Sequence, residues 1–296
     1  MPSHIYTRLG MWDQSIASNL SSAEASRRYE RERGMRAVWD QRLHALDYLV
    51  YAYLQQGRDD QAHRVVEEAR GVSAVTPEAS AAAHYALAAI PARYALERRR
   101  WAAAAALPLR PAPAFPAAEA ITHFARALGA ARSGQVELAR AEVAQLDSVR
   151  ARLAAARQEY WAEAVAVQRT AAAAWLARAE GNDEEALRLA AAAAEREEAL
   201  EKHPLTPGAV LPARELQGDL LAELGRPAEA LRAYEAVRGR EPNRARTLFG
   251  AARSAELAGS PTVARERYAE LQRLMARAVP ERSEPALARA FLRPQR

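Results

Sequence analysis

The stretch that decides the fold is Leu211 to Arg244, LPARELQGDLLAELGRPAEALRAYEAVRGREPNR. Gly225 interrupts a run of good helix formers and indicates a turn between two helices. The small residues Gly218 and Ala230 allow the two helices to approach closely, and Tyr234 fills the space towards the next unit. The stretch therefore predicts an antiparallel helix pair that packs against a similar neighbour.

The same order of turn, small residue and aromatic filler returns along the chain. Gly259 is followed by Ala264 at the close contact and by Tyr268 as the filler. Self-similarity of this kind indicates stacked repeats, each built from one helix pair. The predicted turns are Gly10, Gly57, Arg99, Gly134, Gly181, Gly225 and Gly259. We predict an all-α solenoid of about six to seven antiparallel helix pairs, with irregular lengths because the turns are unevenly spaced.

Leu211 to Arg244 resembles a tetratricopeptide repeat along its whole length, with Pro242 at the terminal-proline position. LDYLVYAYLQQG, from Leu46 to Gly57, and EKHPLTPGAVLPARELQGDLLAELGRPAEA, from Glu201 to Ala230, resemble a group of bacterial tetratricopeptide-repeat proteins of unassigned function. The opening MPSHIYTRLGMWDQSIASN resembles the middle of longer members of that group. The resemblance implies a helical-repeat scaffold and no reaction.

Prolines divide the predicted solenoid into two blocks. Four of them lie between residues 108 and 116, a segment that cannot be helical throughout. We predict an N-terminal helical block over 1–107, a proline-rich connector over 108–116 and a C-terminal block over 117–296. The second block is expected to end in a short capping helix between Ser283 and Leu292.

Only part of a first helix precedes Gly10, so we expect the chain to begin inside a repeat. A solenoid end without a polar cap exposes its stacking face, which here includes Ile5, Leu9, Trp12 and Ile16. This face is expected to pair with further repeats or with another subunit.

The composition limits the compartment and the chemistry. There is no cysteine, which excludes a disulfide framework and a thiolate zinc site. No apolar run reaches the roughly 20 residues of a membrane span, and the opening residues lack a signal-peptide core. We predict a cytoplasmic protein without a membrane span.

The net charge of +5 and the pI near 9.7 raise the possibility of nucleic-acid binding. However, the arginines interleave with acidic residues, as in Arg226, Glu229 and Arg232, and this spacing is typical of a solvated helix face. Binding of nucleic acid by the helical repeats therefore stays the second alternative.

The first helix of each predicted pair is expected to line a concave groove. Aromatic and arginine side chains on that face suit a protein or peptide partner, because these residues most often anchor interfaces. The alternative is that they are ordinary solvated residues. The predicted contact residues are His4, His44, Asp47, Tyr51, Arg93, Trp175, Arg178, Glu215, Asp219, Arg246 and Arg253.

Two imidazoles and a carboxylate, from His4, His44 and Asp47, form the first alternative, a metal-binding or hydrolytic site. The simpler interpretation is a hydrogen-bonded groove wall. The chain has no phosphate-cradling glycine loop, no GxSxG and no HExxH. We therefore predict a scaffold without catalytic activity, cofactor or resident metal.

The segment HPLTPG, from His203 to Gly208, contains two prolines that force an extended path. It is expected to join two helices at a fixed angle. Alternatively, this rigid loop presents His203 and Thr206 to a ligand.

Overall fold

The computed structural model describes residues 2–110 and 115–293. Within these ranges the chain forms fifteen α-helices and one parallel pair of two-residue strands, β1 (Val38–Trp39) and β2 (Val75–Thr76). The helices are α1 (Pro2–Arg8), α2 (Trp12–Glu32), α3 (Asp40–Gln55), α4 (Asp59–Arg70), α5 (Ala81–Glu97), α6 (Trp101–Ala105), α7 (Pro116–Arg132), α8 (Val136–Ala155), α9 (Glu159–Ala179), α10 (Asp183–Ala199), α11 (Ala213–Glu223), α12 (Pro227–Arg240), α13 (Ala245–Leu257), α14 (Pro261–Leu274) and α15 (Ser283–Leu292). The all-α prediction is confirmed.

Every predicted turn joins an odd-numbered helix to the helix that follows it. The backbone at these turns has φ from 54° to 81°, the left-handed region in which helices commonly end. Arg99 is the only turn residue of the seven that is not glycine, and its φ is 54°. The turn positions read from the sequence are therefore confirmed, including this one without glycine.

The odd-numbered helices form one continuous layer. Helix α3 packs on α5, α5 on α7, α7 on α9, α9 on α11 and α11 on α13. Helices α4, α8, α10, α12 and α14 each pack on the helix that precedes them. The largest apolar core lies between α5 and α11 and is rich in alanine, which lets the helices approach closely.

Tyr234 shows how a small residue and an aromatic residue match between neighbouring helices. Its ring lies against Gly218 of α11, where an added Cβ would come within 2.9 Å of it, and against Gly250 of α13. Its hydroxyl donates to Oδ1 of Asp219 at 2.7 Å. The packing roles predicted for Gly218 and Tyr234 are thus confirmed.

Gly129 marks the closest approach between α7 and α6. A Cβ at this position would collide with backbone atoms of Trp101 and Ala105, which cannot move without displacing α6. We expect Gly129→Ala to lower the free energy of unfolding by about 1–3 kcal/mol, measured by urea denaturation. The control is Gly239→Ala in α12, where the added methyl group meets nothing within 4 Å. A helical glycine with such space should gain stability on replacement by alanine, and an equal loss in both variants would contradict the steric explanation.

The beginning and the end of the described chain meet. Nε1 of Trp12 donates to the carbonyl of Asn243 at 2.7 Å, and Nδ2 of Asn243 donates to the carbonyl of Gly10 at 3.2 Å. Arg282 donates to both carboxylate oxygens of Asp59 at 2.9 Å. The row of helices therefore curves far enough to close on itself.

Because of this closure, only part of the stacking face predicted near the N-terminus is exposed. Ile5 and Leu9 are 61% and 55% exposed, as expected. Trp12 and Ile16 are only 3% and 5% exposed, so the prediction for these two is wrong. Helix α2 packs on α3, and the Trp12 indole reaches across to Asn243.

The two predicted blocks touch directly, because both α5 and α6 pack on α7. Residues 111–114 of the predicted connector, with Pro111 and Pro113, lie outside the described residues, and Pro116 opens α7. The predicted terminal helix is present as α15, which packs on α14. Among the residues described, no helix combines the length and the apolar character that a membrane crossing demands.

Candidate functional site

Most of the residues predicted to line a groove lie in the interior of the closed structure. The charged ones among them pair with charged side chains from helices that are distant in sequence. The buried ones are His44, Asp47, Tyr51, Arg93, Trp175, Glu215, Asp219 and Arg246.

Arg244, just before α13, is fully buried. Together with the charged side chains around it, Arg244 forms what we call the buried polar cluster. Its guanidinium donates to Glu215 at 2.9 and 3.0 Å, to Glu97 at 2.8 Å and to the hydroxyl of Tyr51 at 2.7 Å. Burial by itself raises the pKa of Glu215, but Arg244 and Arg246 together outweigh burial and hold that pKa below its usual value. Arg244 thus connects α3, α5 and α11.

Arg246 extends the cluster. It donates to Glu215 at 3.1 Å, to the carbonyl of Leu96 at 3.1 Å and to the carboxylate of Asp219. Buried charges persist only where they are paired and hydrogen-bonded. The cluster therefore holds α5, α11 and α13 together across the interior.

Arg93 of α5 holds the segment 200–212 in place. It donates to Oδ1 of Asp47 at 3.2 Å and to the carbonyls of Gly208 and Ala209 at 2.7 and 2.8 Å. Burial raises the pKa of Asp47 to about 6, although Arg93 acts in the opposite direction. The segment that contains HPLTPG is therefore attached to the first-helix layer through its backbone.

Three other predicted contact residues have partners within the chain. The guanidinium of Arg132 lies over the Trp175 ring, with its Cζ atom 3.9 Å from the ring centroid. Arg178 donates to Asp183 at 2.7 Å, and the exposed Arg253 pairs with a neighbouring glutamate on α13.

The structure brings His4 and His44 together, with their Nε2 atoms 3.0 Å apart, and the His4 ring stacks on Tyr48. Burial lowers the pKa of His44 to about 4, so this imidazole is neutral at pH 7. The carboxylate of Asp47 is engaged by Arg93 instead. Over residues 2–110 and 115–293, no group of three His, Cys, Asp or Glu side chains is placed to hold a metal ion.

An open cavity of about 120 Å³ lies in the first-helix layer, and we call it the aromatic pocket. Its walls come from α5, α7 and α9, from the end of α10 and from the segment 200–212. Trp161 of α9 forms one wall and packs against His203, with ring centroids 4.6 Å apart. Tyr85, Ile121 and Phe124 provide further apolar surface. His203 and Thr206, considered above as residues that meet a ligand, both line this pocket.

Two polar side chains in the pocket lining stand out. Oε1 of Gln168 is buried and accepts no hydrogen bond from the described residues. The carboxylate of Glu197 accepts one from the backbone N–H of Ala213 at 2.7 Å. Burial raises the pKa of Glu197 to about 7.

The basic side chains around the mouth of the pocket are occupied. Lys202 pairs with Glu241 at 2.9 Å, and Arg214 pairs with Glu198 at 2.6 Å. Arg240 donates to the backbone carbonyl of Glu198 at 2.7 Å. The mouth is therefore polar and contains charges of both signs.

Glu197→Gln should stabilise the protein at high pH only. In the folded protein the pKa is about 7 against an ordinary 4.5, so the native state keeps this proton longer than the unfolded chain does. Stability is consequently lost as the pH rises from 4.5 through 7. Glutamine keeps the acceptor but cannot ionise. We expect a gain on the order of 2 kcal/mol at pH 8 and no change at pH 4, measured by urea denaturation. An equal effect at both pH values would contradict this.

Gln168, Trp161 and Glu197 are pocket residues that the sequence analysis did not identify. The available signal was the pair Tyr160 and Trp161 at the start of an alanine-rich helix, where bulky aromatic side chains are unusual. The pocket also needs the segment 200–212, whose course depends on Arg93.

Comparison with protein families finds no family whose model matches the chain, and comparison with curated proteins finds no significant match.

Proposed function

We propose that the chain is a tetratricopeptide-like α-solenoid and that it binds a peptide segment of a protein partner through the layer of first helices. The single observation that carries the proposal is the aromatic pocket. Much of the inner face of that layer is filled by buried ion pairs, whereas the pocket stays open between α5, α7 and α9. The helix pairs and their turns support the solenoid.

The size and chemistry of the pocket favour a peptide. Pockets that enclose whole cofactors or drug-sized ligands measure about 300–1,000 Å³. A volume of about 120 Å³ suits one side chain. A mouth with charges of both signs suits a peptide backbone and its polar neighbours. The pairing of Lys202 and Arg214 with carboxylates leaves these two basic groups neutralised, which disfavours a phosphate track.

Selection from a random peptide library displayed on phage tests this proposal. Ala164 lines the pocket, so Ala164→Phe fills it. Ala151 is exposed on α8, so Ala151→Phe adds the same bulk outside the pocket. We expect selected peptides to bind the intact chain and Ala151→Phe equally, and to bind Ala164→Phe more weakly by at least about tenfold.

Circular dichroism shows whether both variants keep their helices. Peptides that bind all three proteins equally would place the binding surface elsewhere. Failure to select any peptide would contradict the scaffold function itself.

A further inference from the structure

We infer that the aromatic pocket takes the side chain of a lysine from the bound peptide, with its ammonium group on the carboxylate of Glu197. The inference rests on the proposed function, and it adds which residue of the partner enters the pocket. Three features support it: the accessibility of Glu197, the lack of a paired cation beside it, and the apolar walls of the pocket.

Glu197 lies in the last turn of α10, lines the aromatic pocket and keeps part of its surface accessible. Its Oε2 accepts the hydrogen bond from the backbone N–H of Ala213 at 2.7 Å. Its Oε1 accepts none from the described residues, and it is not one of the unpaired polar atoms that lack accessible surface. Oε1 therefore remains open to a ligand, and the negative end of the α10 dipole also favours a positive charge there.

No cation in the described part of the chain forms an ion pair with Glu197. Arg240 and Arg244 act on its carboxyl only from a distance. Arg244 is engaged by Glu97 and Glu215, and Arg240 donates to backbone carbonyls at the end of α10. Burial consequently raises the pKa of Glu197 to about 7. Because folding has already removed water from this carboxylate, a ligand that brings a cation meets little further desolvation of Glu197.

The walls of the pocket suit the remainder of a lysine side chain. Trp161, Tyr85 and Phe124 provide aromatic surface, and lysine buries its methylene groups along apolar surface of this kind. The faces of aromatic rings also attract an ammonium group. A volume of about 120 Å³ has room for one such side chain.

The hydrogen bond from Ala213 favours lysine over arginine. A guanidinium binds a carboxylate best through two parallel hydrogen bonds, one to each oxygen. Ala213 already occupies Oε2 of Glu197, so Oε1 alone is without a partner. The ammonium group of lysine is a compact charge that needs only one oxygen.

The charged groups at the mouth neither neutralise Glu197 nor exclude a lysine. Lys202 pairs with Glu241 at 2.9 Å, and Arg214 pairs with Glu198 at 2.6 Å. These two basic groups therefore present little net positive charge to an incoming ammonium group.

The test compares N-acetyllysinamide with the amide of N-acetyl-6-hydroxynorleucine, titrated into the full chain at pH 8 by ligand-observed NMR. The second probe carries a hydroxyl where lysine carries its ammonium group, so it is a neutral donor of the same length. At pH 8 most of the Glu197 carboxyl is ionised, since its pKa is about 7. We expect the lysine amide to bind about tenfold more tightly to the unmodified protein.

The matched variant is Glu197→Gln, which keeps the size of the side chain and its acceptor and removes the charge. It is expected to be more stable than the unmodified protein at pH 8, so weaker binding would not reflect poor folding. Both probes should bind this variant equally. N-acetylargininamide should bind the unmodified protein more weakly than the lysine amide does.

Equal binding of the lysine and hydroxyl probes to the unmodified protein would overturn the inference. A preference for lysine that persists in Glu197→Gln would overturn the role given to Glu197, and equally tight binding of the arginine amide would overturn the choice of lysine. Loss of the lysine amide in Ala164→Phe, with normal binding to Ala151→Phe, would support the pocket as its site.

The selected peptides separate this inference from the proposed function. A Lys→Met change in such a peptide should weaken binding about tenfold. Peptides that bind at the pocket and tolerate this change would leave the scaffold function standing and overturn the lysine inference. Binding of the lysine amide without any peptide binder would overturn both, because the ligand would then be a free amine.

Discussion

Replacing Arg244 by methionine is expected to lower the free energy of unfolding by about 3–5 kcal/mol. The guanidinium is fully buried and hydrogen-bonded to Glu97, Glu215 and Tyr51. Methionine fills a similar volume and carries no charge. The carboxylates of Glu97 and Glu215 therefore stay buried without the positive charge and the hydrogen bonds of Arg244. Removing one partner of a buried ion pair is costly for this reason.

The matched control for Arg244→Met is Arg253→Met, on the same helix α13. Arg253 is exposed and pairs with Glu256 at 2.8 Å. Exposed pairs contribute about 1 kcal/mol or less, so the control should unfold close to the unmodified protein. Urea denaturation followed by circular dichroism measures both. Similar midpoints for Arg244→Met and the unmodified protein would contradict the structural role of the cluster.

Arg93→Met is expected to lower the free energy of unfolding by a similar amount, about 3–5 kcal/mol. It should also make local opening of the segment 200–212 more frequent. The variant loses the hydrogen bonds to the carbonyls of Gly208 and Ala209 and leaves Asp47 buried without its partner. Amide hydrogen exchange should therefore become faster in 200–212, whereas α14 should keep its protection. Unchanged exchange in 200–212 would contradict the anchoring role of Arg93.

The cost of Arg93→Met should also depend on pH. The pKa of Asp47 is already raised to about 6 by burial, and Arg93 is the group that lowers it. Without Arg93 the pKa rises further, so Asp47 takes up a proton in the folded state and the loss is smaller at pH 5 than at pH 8. At pH 8, Asp47→Asn in the Arg93→Met background should restore part of the stability, because asparagine cannot ionise.

The helix pairs could be predicted because their signals are local. Gly225 and Gly259 mark turns in short windows of sequence, and Trp101 and Ala104 indicate the turn at Arg99 in the same way. Gly218 and Tyr234 could be matched in the same way, since the two positions lie in one repeat unit.

The closure of the helix row could not be predicted, because it depends on contacts between distant parts of the chain. An arginine in a helical pattern looks the same whether it faces water or a carboxylate from another helix. Arg246 and Glu215 lie on the face predicted to contact a partner, and in the structure they pair with each other at 3.1 Å. Arg244, which precedes α13, is not among the predicted contact residues.

For the same reason, the sequence predicts only part of the lining of the aromatic pocket. The segment from His203 to Gly208 was conspicuous because of its prolines. Its position against α5 and α9 follows from the hydrogen bonds of Arg93, which joins residues more than a hundred positions apart. A pattern within a short window of sequence cannot show a contact between residues so far apart in the chain.

The contact between Trp12 and Asn243 joins residues 231 positions apart, and this has a consequence for how the protein folds. Each helix pair brings together residues that are close in sequence, so pairs can form early and fast, whereas contacts of long sequence separation form slowly. On the ribosome, α1 to α4 emerge well before their partners near Asn243 and Arg282. We therefore expect the indole N–H of Trp12 to lack its partner on the Asn243 carbonyl while the early helices are made, and the closed form to be reached only after translation has passed α14.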